Sequence, residues 1–165
     1  MAKMLKRHGF DYVASTDVEG LGHVFDDEEE NSYRWVYTSA SDIAINQPVC
    51  FVAAYSASAS SKLFKHYVIK PAAIGDTFLF AGVAMSAASA SNYFWVKRRG
   101  FHSAGLVGGE AGSAGTPMYV TSAGSPTKFS MLNGADGGAY KANAILLTTA
   151  STLAAATHPI YVNAI

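Results

Sequence analysis

The sequence predicts an all-β protein: a small β-barrel or β-sandwich with an extended N-terminal arm and little helix. Three observations predict it. Short runs rich in Val, Tyr, Phe, Trp and Thr recur along the chain, and these residues fit a half-buried pleated surface. Clusters of Gly, Pro, Ser and Ala separate the runs at close spacing, as turns between many short strands require. The clearest run, Tyr33-Arg34-Trp35-Val36-Tyr37, alternates with period two. It places Tyr33, Trp35 and Tyr37 on one face and Arg34 and Val36 on the other.

Residues 1–24 read as an arm, mixed in charge and weakly periodic. Val24-Phe25 and Tyr33 to Tyr37 then form a predicted hairpin, with the acidic run Asp26-Asp27-Glu28-Glu29-Glu30 as its turn. Further strands are expected at Val49 to Tyr55, His66 to Ile69, Thr77 to Met85, Tyr93 to Lys97, Met118 to Thr121 and Lys128 to Leu132. The breakers between them include Ser56 to Ser61, Pro71, Gly75-Asp76, Gly100, Gly108-Gly109, Gly112 to Pro117 and Gly134 to Gly138. Ser86 to Ser91 suits a short helix or a turn, Ala being the best helix former. Ile145-Leu146-Leu147 before Thr148-Thr149 favours a strand, and Pro159 to Ile165 reads as a final strand or an apolar tail. The expected organisation is an arm over 1–24, a β core over 25–140, and a segment 141–165 that returns to the core or to a neighbour.

Hydrophobic residues make up 50% of the 165 and charged residues only 15%. That charged fraction is well below the ~25% of ordinary soluble domains. A chain so poor in charge relies on Ser, Thr, Asn and Gly for solubility, or covers its surface with partners. The balance of 12 basic and 12 acidic residues points to neither nucleic acid nor a membrane as partner. The one cysteine, Cys50, lies in the apolar run Val49 to Val52, where a small buried hydrophobe is expected rather than a reactive thiol. No apolar core of signal-peptide length follows the basic start, and no stretch has the ~20 apolar residues of a membrane span.

The sequence names no catalytic, cofactor-binding or metal-binding residue. The five histidines are far apart, and none forms a His-x-x-x-His or Cys-x-x-Cys pattern. His66 and His102 adjoin strands and read as structural. The nucleophile elbow, the P-loop and the dinucleotide glycine fingerprint are all missing. The acidic run lacks the glycine and the spaced ligands of a calcium loop, so it reads as a solvated turn. Asp42, Asp76, Glu110 and Asp136 sit beside turn residues. Lys97-Arg98-Arg99, the one basic cluster, reads as a polar strand end or as a partner for an acidic neighbour such as the 26–30 turn. An enzyme is not expected.

Two stretches resemble a known family. Leu21-Gly22-His23-Val24, the acidic turn and Tyr33-Arg34-Trp35-Val36 are similar to the opening of tailed-phage head-decoration (cement) proteins. Ile43-Ala44-Ile45-Asn46-Gln47-Pro48-Val49 continues that likeness, with Asn46 where glycine is commoner. Phe80-Ala81-Gly82-Val83-Ala84, Tyr93-Phe94-Trp95-Val96, Arg99-Gly100 and Gly115-Thr116-Pro117-Met118-Tyr119 resemble the same small β-barrel proteins. The two stretches lie in the middle of the chain, and neither end, 1–20 or 140–165, has a match.

The resemblance implies a structural virion protein, made in the host cytoplasm and placed on the outer capsid surface. It would bind the major capsid protein and stabilise the expanded head as a homo-oligomer, a trimer by preference or a dimer. The expected contact residues are Leu5, Lys6, Arg7 and Phe10 in the arm, Arg98 and Arg99, and Ile160, Tyr161 and Ile165 in the tail. Two alternatives remain: another virion β-barrel component, such as a fibre base, minor capsid or tail protein, or a carbohydrate-binding module using Trp35, Tyr37, Tyr93 or Trp95.

Overall fold

A computed structural model describes residues 8–38, 42–52, 66–70, 79–108, 111–120, 128–130, 142–150 and 156–164. Among the described residues there is no α-helix, and eleven strands join one sheet. They are β1 (Val13–Ala14), β2 (Val24–Asp26), β3 (Ser32–Thr38), β4 (Pro48–Phe51), β5 (Tyr67–Ile69) and β6 (Phe80–Ala84). β7 (Asn92–Val107), β8 (Pro117–Val120), β9 (Phe129–Ser130), β10 (Ala144–Leu146) and β11 (Ala156–Asn163) complete the set.

The sheet closes twice on the 16-residue strand β7. One ring runs from β7 through β6, β4, β5 and β3 back to β7. The other runs from β7 through β9, β8, β10 and β11 back to β7. The N-terminal half of β7 pairs with β3 from Thr38↔Asn92 to Ser32↔Arg99, and its C-terminal half pairs with β11 from Asn163↔Arg99 to Ala156↔Val107. Closure satisfies strand edges that would otherwise stay open.

Each ring encloses apolar side chains. Val36, Val49, Val68, Phe94 and Val96 fill the first, and Met118, Val120, Leu146, Ile160 and Val162 belong to the second. β4 and β6 are covered on both faces. Val49 and Ala81 pack with the first cluster, while Cys50, Phe80 and Val83 pack with the second. A third cluster of Tyr33, Trp35 and Trp95 lies outside the first ring, beneath Phe10 and Val18. There β1 pairs with β7, Val13↔Phe94 and Ala14↔Tyr93, so the described part of the N-terminal segment adds its strand to its own chain.

The predicted hairpin forms, with Val24↔Arg34 and Asp26↔Ser32 in register. Tyr33 and Trp35 share one cluster and Val36 belongs to another, as period two requires. One expectation changes. Gly100 does not end a strand: it lies inside β7, at φ +107, next to the bulge where Ser32 meets Arg99 but Tyr33 meets Lys97. Of the two readings open for segment 86–91, a short helix or a turn, the chain takes the turn, tied by an isolated Ile43↔Ala88 bridge. The expected breakers at 56–61, 71, 75–76 and 134–138, and the outer parts of several expected strands, lie outside the described residues.

Candidate functional site

The expected contact residues separate into distinct environments. Leu5, Lys6, Arg7 and Ile165 lie outside the described residues. Phe10 is packed inward, stacked on Tyr33 at 3.7 Å between ring centroids and edge-on to Trp95 at 5.8 Å. Ile160 is wholly buried in the second core, so it cannot offer its side chain to a partner. Strand alternation explains this, because Ile160 and Val162 point inward and Tyr161 between them points out.

Tyr161 belongs to a row that the sequence alone does not reveal. It lies opposite Phe101 on β7 and opposite Ile145 on β10, and Ile145 lies opposite Pro117 on β8. Residues directly opposite in antiparallel strands share a face. The row therefore crosses four strands on the outside of the second ring. Phe101 is 52% exposed, Ile145 42% and Tyr161 38%. Arg99, two residues before Phe101 on the same face, is exposed at its margin beside Asn163. Single exposed apolar residues are ordinary; a contiguous row is the mark of a contact surface.

Arg98 has a different setting. Its Nε is buried without a hydrogen-bond partner among the described residues, and so is that of Arg34. Arg34 lies over the Phe51 ring at 5.3 Å, and burial, followed by the Arg98 charge, holds its pKa below the ordinary arginine value. Two half-buried guanidiniums of like charge thus sit close together beside the first core.

Lys97, the first residue of the basic triplet, is buried on the opposite face at 6% exposure. Its ammonium donates to the Phe101 carbonyl and to Asn31 Oδ1, the latter at 3.2 Å, and lies 5.0 Å from the centroid of the Tyr33 ring. Burial lowers its pKa, with Asp27 and Glu29 acting in the opposite sense. Asn31, also 6% exposed, donates from Nδ2 to both Asp27 carboxylate oxygens, at 2.9 and 3.2 Å. Asp27 also accepts from the backbone N–H groups of Glu29 and Asn31. Burial raises the Asp27 pKa, but these bonds and the Lys97 charge outweigh it, and the net shift is downward. Within the acidic turn, Asp27 therefore closes the hairpin and orients Asn31. Tyr33, whose hydroxyl lies 3.4 Å from Asp27, is pushed up to about 12 by burial and by the Asp27 charge.

Trp35 and Trp95 are wholly buried, so neither presents a ring to a sugar. Tyr37, Tyr67 and Tyr93 form a half-buried cluster, with Tyr37 centroids 4.9 and 4.7 Å from the other two. His102 is buried, with Nε2 3.0 Å from Asn46 Oδ1, and burial and then Lys97 lower its pKa to about 4. Cys50 is wholly buried. Among the described residues no group of three or more His, Cys, Asp or Glu is placed to hold a metal ion. The comparisons with protein-family models and with curated proteins find no match for this chain.

Proposed function

We propose that this chain is a structural virion protein that binds the outer surface of an icosahedral phage capsid and stabilises the expanded head. The observation that carries the proposal is the exposed Phe101–Tyr161–Ile145 row, flanked by Arg99, on the outer wall of a closed barrel. The low charged fraction and the resemblance of the hairpin and barrel segments to decoration proteins support the same reading. In it, the row docks on the major capsid protein: aromatic side chains supply apolar area, and Arg99 supplies a charged rim. A rigid sheet face suits this use, because it loses little conformational freedom on docking. A homo-oligomer, trimer or dimer, would present several such faces to one shell and gain avidity.

Co-sedimentation with the shells of the same virus tests the proposal. The protein is expected to saturate expanded shells at a fixed ratio to capsid subunits and to leave unexpanded shells bare. A Phe101→Asp/Tyr161→Asp variant is expected to bind about tenfold more weakly or worse. Full binding by that variant would move the contact elsewhere on the molecule. Absence of binding by the unaltered protein would favour a fibre or tail component.

A further inference from the structure

The Lys97–Asn31–Asp27 group, its amine and amide on buried residues and its carboxylate nearer the surface, is more than a hydrogen-bond knot. We propose that Lys97 and Asn31 form an intramolecular isopeptide bond, with Asp27 as the proton carrier. The inference does not depend on the capsid reading.

Three kinds of group are needed for this chemistry: an amine with a neutral fraction, a carboxamide held against it, and a carboxylate beside the leaving amide nitrogen. Lys97 supplies the first, Asn31 the second, and Asp27, hydrogen-bonded to Asn31 rather than to Lys97, the third. The Lys97 amine is 3.2 Å from Asn31 Oδ1, one bond from the carbon it must attack. Asn31 Nδ2, the leaving group, is held by the Asp27 carboxylate at 2.9 Å. Water is largely excluded from the amine and the amide, both on residues only 6% exposed. Burial also favours the uncharged amine, which is the nucleophilic form.

The backbone holds these groups at close quarters. Lys97 and Tyr33 are register partners across β3 and β7, and Asn31 immediately precedes β3. The bulge beside Arg98 brings Gly100 against Asn31, so closely that a Cβ at position 100 would stand 2.2 Å from Asn31 Oδ1 and 2.9 Å from Cγ. Gly100 therefore lets the strand press the carboxamide toward the amine. Fixing reactants in contact in this way is itself a large part of the rate of such a reaction.

The step balances without oxidant or cofactor. The neutral Nζ of Lys97 attacks Cγ of Asn31 and forms the new C–N bond. Once that bond has brought the attacking nitrogen onto the same carbon as Nδ2, Asp27, held against Nδ2, takes one proton from the attacking nitrogen and delivers it to Nδ2. The Cγ–Nδ2 bond then breaks with its electron pair on nitrogen, and one ammonia leaves. A secondary amide between the two side chains remains.

Denaturing intact-mass measurement on the purified full chain is the test. The expected mass is lower than the sequence mass by one molecule of ammonia, and peptide mapping is expected to find Asn31 and Lys97 in one branched peptide. Lys97→Arg and Asp27→Asn are both expected to restore the full sequence mass. A purified, folded protein that keeps its full sequence mass overturns the proposal. So does a mass loss that persists in Lys97→Arg, because the ammonia would then come from another residue. Peptide mapping of the unaltered chain decides the matter even if a variant does not fold.

Discussion

At the scale of single residues, the buried polar groups set the molecule's response to pH and to substitution. His102 is neutral in the fold, and with Asn46 Oδ1 as acceptor its Nε2 carries the proton. Its folded pKa of about 4 lies below its ordinary 6.5, so the unfolded chain binds more protons between those values. The stability contributed by neutral His102 is complete above about pH 6.5 and is lost as pH falls through about 4. The loss amounts to at most about 3 kcal/mol. Urea unfolding at stepped pH is expected to show this slope, and His102→Gln to flatten it. Gly82 makes a second prediction. It lies at φ +144, and a Cβ there would stand 2.4 Å from the Lys97 carbonyl oxygen. Gly82→Ala is expected to cost about 2 kcal/mol or more, read from the denaturation midpoint. Asn46, at φ +65, takes the left-handed conformation that asparagine tolerates and glycine adopts freely. Asn46→Gly would relieve that strain but remove the partner of His102, so the two effects oppose each other.

At the scale of elements, the N-terminal segment and β7 are instructive. Phe10 stacks on Tyr33 and meets Trp95, while Asp17 Oδ1 accepts from the Trp35 indole at 3.0 Å and also caps the turn at Gly20. Phe10→Ala is expected to destabilise the protein by about 3 kcal/mol and to red-shift tryptophan emission as Trp95 gains water. The hairpin of β2 and β3 was legible in the sequence because its alternation is local and its turn is polar. The extent of β7 was not. Glycine reads as a breaker, and only the tertiary contact with Asn31 shows that Gly100 serves a bulge inside a continuing strand. Lys97, Arg98 and Arg99 are adjacent in sequence, yet alternation and the bulge send them to a buried knot, a half-buried arginine pair and the open surface. The apolar row was hidden for a similar reason. Phe101, Ile145 and Tyr161 are far apart in the chain, and pairing register alone aligns them.

At the scale of the whole molecule, inward and outward positions on neighbouring strands have separable duties. Ile160→Ala opens space in the second core and is expected to cost about 2–5 kcal/mol. Ile145→Ser, on the outer wall, is expected to change stability by no more than about 0.5 kcal/mol while weakening capsid binding. Thermal melts paired with co-sedimentation separate the two. Equal stability losses at both positions would mean that the outer row packs against the chain itself. Because β7 borders both rings, neither can be undone without disturbing the strand that seals the other. The same architecture bears on how fast the protein is made. Neither ring is complete until segments distant in sequence have met on β7, the first drawing in β3 and the second β11, near the far end of the chain. Such late, long-range closure places folding in the milliseconds-to-seconds regime of high contact order. Until it finishes, unpaired β7 edges stay open to copies of themselves, and the yield of native protein is set by a race between closure and aggregation.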